Sequence, residues 1–410
     1  MRKFFKSIIK VLLKILYIFP IKKKKVFLMS FNVGYDAKAF YNFLNSKGEN
    51  YRFIWGYTSK KRFNKIELEN VKYVKIGSII GIFHLMTSQI LLYNINLPTY
   101  IPYRKKQIKI NTWHGNGYKK CGKYTNLKDF EAFKLNDCFI SHSKKYTEWV
   151  LNDSMEYYGD ILKCGAPRND IFFSDEKDNV SLIIRNMYGV KNDEKIVLYA
   201  PTFRGDFNEY NYNIDVKMIL SSLKKRFNRD FKFFYRLHPN ILMPSKMNDD
   251  DSINVTNHPD MQELLCATDV LITDYSGSIG DFSLMKKPIF IYAPDINNYD
   301  RGFYLEPQKW PYSIALNNEE LQKNIMLFNY DDFKKRLEQY DLFIENYEKG
   351  KSCETIYKYI KEKEKIYYEY CNYYCWWNWS QNGTGYTKTI FKCGRKAYNY
   401  LYFGSFSKPS

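Results

Sequence analysis

Short apolar runs alternate with helically spaced stretches along most of this chain. Val26–Ser30 is an apolar run that enters a turn containing Gly34, and Ala39–Leu44 has helical spacing. Tyr51–Tyr57 and Val71–Ile76 read as strands. Ser78 is placed to cap a helix running through Met86, and Ile90–Tyr93 is the next apolar run. Gln107–Ile110 leads to His114, and Asp137–Ser141 leads to a helix over Lys144–Leu151. Gly165-Ala166-Pro167-Arg168-Asn169-Asp170 then breaks the pattern, so a domain junction is expected just after it. The alternation restarts with Lys195–Tyr199, Phe231–Leu237, Ile253–Val255, Met261–Cys266, Val270–Thr273 and Ile289–Tyr292, and residues 319–360 read as mostly helical. Strand–helix alternation predicts an α/β chain with parallel sheets covered on both faces.

The first 25 residues differ. Residues 4–19 are mainly apolar, but Lys3, Lys6, Lys10 and Lys14 recur at spacings of three and four, on one helical face. Such a run is too short and too charged to cross about 30 Å of hydrocarbon. A basic stripe on an apolar helix suits the headgroup interface, with Lys22–Lys25 adding attraction to anionic lipid. A helix packed on its own domain is the alternative. A cleavable signal peptide is not expected, since no small-residue site precedes the lysines.

Composition sharpens this picture. At 410 residues the chain suits two domains with extra segments. Net charge is +19; nine positive residues before position 26 account for part of it, leaving +10 for the rest. A basic surface favours anionic partners, whether lipid headgroups, phosphorylated substrates or nucleic acid. Nucleic acid is disfavoured, because the core has no basic patch interleaved with aromatics. The eight cysteines are scattered without zinc spacing, so they read as reduced cytosolic thiols, and no metal site is expected. Residues 361–410 carry 15 aromatics without a clean period. Sequons at Asn378 and Asn382 carry little weight without secretion.

Candidate chemistry gathers at predicted strand ends, where ligands bind in open α/β sheets. Only five histidines occur. His114, in Asn111-Thr112-Trp113-His114-Gly115, and His238, in Arg236-Leu237-His238-Pro239, each end a β-type run. Histidine is suited to proton transfer near neutral pH, although polar strand caps would look the same. Thr273-Asp274-Tyr275-Ser276-Gly277-Ser278 joins a strand to a helix-like stretch, so its hydroxyls and free N–H groups suit an anion. An ordinary serine cap is the bland reading. Arg204 lies just past Tyr199-Ala200-Pro201, where a guanidinium can clamp a phosphate. Arg204, His238 and the Ser276 loop together outline an anion pocket.

The ordered set Thr112-Trp113-His114-Gly115, Gly165-x-Pro167-Arg168-Asn169-Asp170, Tyr199-Ala200-Pro201-Thr202-x-Arg204, His238-Pro239 and Asp274-Tyr275-Ser276…Asp281…Pro288…Asp295 resembles the CDP-glycerol glycerophosphotransferase family, the teichoic-acid and capsule polyol-phosphate transferases. Arg301-Gly302-Phe303 and Gly350-Lys351-Ser352 fit the same pattern, and the likeness covers roughly residues 26–360. It implies a GT-B architecture, two Rossmann-like domains facing one cleft. The expected organisation is a membrane-associating segment (1–25), an acceptor-side domain (26–175), a CDP-donor domain (176–360) and an aromatic tail (361–410).

The resemblance further implies transfer of a polyol phosphate from CDP-glycerol or a similar donor to a lipid-linked or glycan hydroxyl, at the cytoplasmic membrane face. His114 matches a general base. Arg204, His238 and Ser276 match donor pyrophosphate contacts, with Gly277, Ser278 and Asp274 in the same loop. The Trp113-His114-Gly115-Asn116 loop is expected to face the acceptor. No cofactor is expected, and Asp274 and Asp281 are read as orienting the loop rather than holding Mg²⁺. Two departures stand out: Asn116-Gly117 where the family has Thr-Pro, and Gly277 where it has a second serine. A nucleotide-sugar glycosyltransferase and a non-catalytic basic membrane-binding protein are the competing readings.

Overall fold

The computed structural model describes residues 2–30, 35–58, 68–115, 118–125, 130–202, 213–237 and 252–381. The chain forms one compact unit over Met1–Lys361 and a second over Glu362–Ser410. Gly34, Asn116, Gly117, Arg204 and His238 fall outside the described residues.

The first unit holds two all-parallel sheets. One contains β1 (Lys22–Met29), β2 (Arg52–Tyr57), β3 (Val71–Lys75), β4 (Ser88–Tyr93), β5 (Ile108–Asn111), β6 (Cys138–Ser141) and β7 (Asp160–Lys163), in the order β3-β2-β1-β4-β5-β6-β7. The other contains β8 (Lys195–Tyr199), β9 (Phe231–Tyr235), β10 (Ser252–Asn254), β11 (Val270–Thr273), β12 (Ile289–Tyr292) and β13 (Ser313–Ala315), in the order β10-β9-β8-β11-β12-β13. Both orders reverse once, between β1 and β4 and between β8 and β11, which is the doubly wound Rossmann pattern. The helices are α1 (Arg2–Leu12), α2 (Tyr35–Ser46), α3 (Ile79–Thr87), α4 (Phe130–Phe133), α5 (Lys144–Tyr146), α6 (Glu176–Met187), α7 (Val216–Phe227), α8 (Met261–Ala267), α9 (Ser278–Ser283), α10 (Asn318–Met326), α11 (Tyr330–Ile344) and α12 (Ser352–Gln381).

The sequence pattern explains most of this. Strands β4, β6, β11 and β12 are buried along their whole length, so they read as largely apolar runs rather than alternating ones, whereas β5 is equally buried but alternates, with Lys109 and Asn111 inside. Ser78 caps α3 as expected, its hydroxyl accepting from Gly81 N at 3.0 Å. The helix expected over Lys144–Leu151 forms one α turn and then widens into a π-helix over Thr147–Ser154. Strand β13 is three residues long, too short to show a period.

The lysine run departs from expectation. Lys22–Lys25 opens β1, so the strand begins four residues before the expected Val26. Lys25 is fully buried, donating to Thr87 Oγ1 at 2.6 Å, and burial pushes its pKa down to about 7. Upstream, Leu13 and Leu16 pack on the core under β1, and Arg104 donates to the carbonyls of Leu16 (2.6 Å) and Phe19 (2.7 Å). Phe4, Phe5, Ile8, Val11, Leu12, Ile15 and Ile18 stay exposed. No described helix is long and apolar enough to cross a membrane.

Helix α12 begins at a sharp anchor. Asp170 accepts from the N–H groups of Ser352 (2.9 Å) and Cys353 (2.8 Å). Its next turns return to the first sheet, with Lys361 Nζ on Glu49 at 3.0 Å and Tyr359 on Asp160 at 3.2 Å. In the second unit the helix continues to Gln381, although the sequence there shows no helical period.

Candidate active site

Strand β5 delivers His114 to the carboxyl edge of the first sheet. The turn is tight: Trp113 has φ +53°, a left-handed backbone that a bulky residue seldom adopts. Asn111 holds that turn, its side-chain oxygen accepting from Trp113 N at 2.8 Å. Trp113 is buried among Phe133, Phe139 and Tyr146, and its ring centroid lies 4.2 Å from the imidazole. Strain at one residue, retained by packing around it, is a mark of functional sites.

The environment of His114 selects its chemistry. Nδ1 lies 2.9 Å from the main-chain oxygen of Asn94, one residue past β4. A carbonyl only accepts, so Nδ1 carries the proton and Nε2 is the basic nitrogen. His114 is exposed, yet protein encloses it on several sides. That enclosure pushes its pKa below the usual imidazole value, aided by Arg168, Arg301 and Lys119 and opposed by the Asn94 bond. The ring is therefore neutral at neutral pH, the form a general base requires.

The loop expected to take the donor runs from the end of β11 into α9. Asp274 is fully buried and accepts from Thr202 N at 2.7 Å and Thr202 Oγ1 at 2.8 Å, joining the end of β11 to the end of β8. Ser278 Oγ donates to Ser276 Oγ at 3.1 Å at the start of α9. Gly277 has φ −61° and ψ −20°, which any residue adopts, so its backbone does not demand glycine. Tyr275 is buried, with its hydroxyl on Asp295 at 2.9 Å.

The carboxyl ends of the two sheets are tied together at several points. Lys119 and Phe303 form an antiparallel bridge, and Lys120 N donates to Gly302 O at 3.1 Å. Lys38 of α2 pairs with Asp260 (2.9 Å) and Glu263 (2.6 Å) beside α8. At the centre, Arg168 is buried between two carboxylates. It meets Asp281 through Nε (2.9 Å) and Nη2 (3.0 Å), and Asp36 through Nη1 (3.1 Å). Asn169 and Gln262 add hydrogen bonds to Asp281 at 2.9 and 3.0 Å. Asp281 is thus committed to arginine, in line with an orienting role. Among the described residues no cluster of three or more His, Cys, Asp or Glu is arranged to hold a metal.

Sequence reasoning missed His142. It too ends a β-type run, but its Nδ1 bonds Glu348 Oε1 at 3.0 Å and the pair is buried. Glu348 also accepts from Ala166 N and Asn169 Nδ2, both at 3.0 Å. Gly165 is required there: φ is +83°, and an added Cβ would lie 2.1 Å from Glu348 Oε2.

Comparison with known proteins gives the family and the fold. The family model described as CDP-glycerol:poly(glycerophosphate) glycerophosphotransferase matches residues 11–362. The teichoic acid poly(glycerol phosphate) polymerase of Bacillus subtilis is 24% identical over 338 residues, covering 77% of this chain and 45% of that protein. The teichoic acid glycerol-phosphate transferase of Staphylococcus aureus is 28% identical over 295 residues, covering 67% and 75%. The chain thus matches about half the length of the first relative and three-quarters of the second. A solved structure of the wall teichoic acid polymerase superposes with a TM-score of 0.73 at 26% identity, covering 89% of this chain and 95% of that one. A putative UDP-N-acetylglucosamine 2-epimerase from Listeria monocytogenes shares the fold alone, at a TM-score of 0.52 and 14% identity. The chain belongs to the CDP-glycerol:poly(glycerophosphate) glycerophosphotransferase family.

Proposed function

We propose that the protein transfers glycerol phosphate, or another polyol phosphate, from a CDP-activated donor to a hydroxyl of a lipid-linked or glycan acceptor, in teichoic-acid or capsule synthesis. The observation that carries this reading is the imidazole of His114. Its pKa is held below the usual imidazole value by its surroundings, Nδ1 is committed to Asn94 O, and it stands where the carboxyl ends of two doubly wound sheets meet. Family membership supplies the substrate class.

In this reading the acceptor hydroxyl gives its proton to His114 Nε2 as its oxygen bonds the β-phosphorus of the donor. The bond from that phosphorus to the CMP oxygen breaks, and CMP leaves with the electron pair. A positioned base of this kind contributes roughly 10²–10⁴-fold. Residues 26–175 form the acceptor side, where Gly115 and Asn116 follow His114 and the buried Trp113 ring packs against its imidazole, and residues 176–360 form the donor side. Asp274 holds Thr202 at the end of β8, and Ser276, Gly277 and Ser278 follow it at the start of α9. Arg204 and His238 complete the charge stabilisation of the leaving phosphate.

The exposed apolar side chains of α1 support peripheral attachment at the cytoplasmic membrane face, and Lys22 and Lys23 at the start of β1 are also exposed. CMP release from CDP-glycerol, CDP-ribitol and UDP-sugars, with membranes as acceptor source, tests the assignment. CMP from a CDP-polyol supports it. Turnover of a UDP-sugar alone overturns it.

A further inference from the structure

Arg236 is a cation that the described structure leaves unpaired. It follows β9 directly, and its N–H donates to Tyr199 O at 2.9 Å, extending the β8–β9 pairing past both strand ends. This places it at the carboxyl edge of the second sheet, beside the Ala200–Thr202 segment that Asp274 fixes. Its side chain is partly buried, and Nη1 is sealed from solvent without a hydrogen-bond partner. The nearest acids are already taken: Asp260 and Glu263 pair with Lys38, and Glu263 also bonds His258 at 2.9 Å. Tyr35, at the start of α2, is near enough to act on Arg236 electrostatically, as is Tyr188.

Proteins seldom keep an enclosed guanidinium without an anion. Its five N–H groups are donors only, and a buried unmade bond costs free energy that a structural pair would recover. A planar fork of donors fits the oxygens of a phosphate. We propose that Arg236 is a phosphate-binding residue of the cleft, taking the diphosphate of the nucleotide donor. This rests on the donor reading above. The acceptor's phosphodiester has the same chemistry, so the test separates the two sources.

The test is binding of CMP and of cytidine to the full chain, wild type and Arg236→Gln, alongside thermal unfolding with and without CMP. Arg236→Gln is expected to weaken CMP about tenfold or more, the loss expected for a charge-assisted bond. Cytidine affinity stays within about twofold, since it has no phosphate. The unliganded Tm is unchanged or higher, because an unpaired charge has been removed. Equal losses for CMP and cytidine, or a lowered unliganded Tm with CMP affinity intact, would overturn the proposal. An Arg236→Gln protein that does not fold would do the same. Intact CMP affinity with a raised KM for a phosphate-bearing acceptor would reject the donor's phosphate in favour of the acceptor's. A wild type that binds neither CMP nor CDP-glycerol would count against the donor reading itself, and CMP binding that survives Arg236→Gln, with an unchanged acceptor KM, against this inference alone.

Discussion

Arg168 meets Asp281 with two parallel contacts, Nε to Oδ2 at 2.9 Å and Nη2 to Oδ1 at 3.0 Å, while its remaining nitrogen reaches Asp36. Asp36 begins α2 of the first sheet and Asp281 lies in α9 of the second, so one side chain joins both. Removing it takes the shared guanidinium away from two buried carboxylates. Arg168→Met is expected to cost about 3–5 kcal/mol in urea unfolding. Arg168→Lys recovers only part, since a point charge does not span both acids. A loss under about 1 kcal/mol for Arg168→Met would show that the network is not a joint.

The Lys38 bridge gives a pH signature. Burial alone would raise the Glu263 pKa, but the His258 hydrogen bond and the Lys38 charge outweigh it and hold it at about 2. An unfolded glutamate titrates near about 4.3. The folded value is lower, so the contribution is fully present above that pH and is lost as pH falls towards 2. Its upper bound is about 3 kcal/mol, reduced by screening because the side chain is 29% exposed. Glu263→Gln is expected to flatten the fall in stability between about pH 5 and 2. An acid-unfolding curve parallel to wild type would contradict it.

Much of the fold was legible because both-side burial writes parallel strands as apolar runs. The second sheet's edge was not, since β13 has three residues. The site was legible in part. The strand-end rule that selects His114 also fits His142, and only a partner 206 residues away separates them: Glu348 makes His142 structural. Arg168 and Asp281 lie 113 residues apart, and no local pattern announces such a pair. Lys25 was not legible as a buried residue, because charge dominates the composition of the run while the register of β1 places it inside.

Membrane attachment through α1 can be separated from catalysis. Leu12, at the end of α1, and Ile15, in the 3-10 turn that follows over Leu13–Ile18, are 66% and 71% exposed, so charging them leaves the core intact. Leu12→Asp with Ile15→Asp is expected to weaken binding to anionic vesicles at least tenfold in co-sedimentation, given about 0.8 kcal/mol per buried CH₂. Turnover of a water-soluble acceptor is expected to be unchanged. Undiminished vesicle binding would remove α1 from the interface.

The pH dependence of turnover follows from the neutral His114. Its pKa is lowered, so the base is lost only as pH falls below the usual imidazole value of about 6.5. The acid limb of kcat/KM for CMP release is expected below that pH, with a plateau above it. An acid limb near pH 8 would assign the base elsewhere.

The central claim is that His114 acts on the acceptor proton and not on donor binding. CMP release and CDP-glycerol affinity, measured together for wild type and His114→Ala, test it most directly. The expected result is a fall in kcat of roughly 10²–10⁴-fold with donor affinity kept within about threefold. Donor affinity that falls in step with turnover, or turnover that survives the substitution, would contradict it.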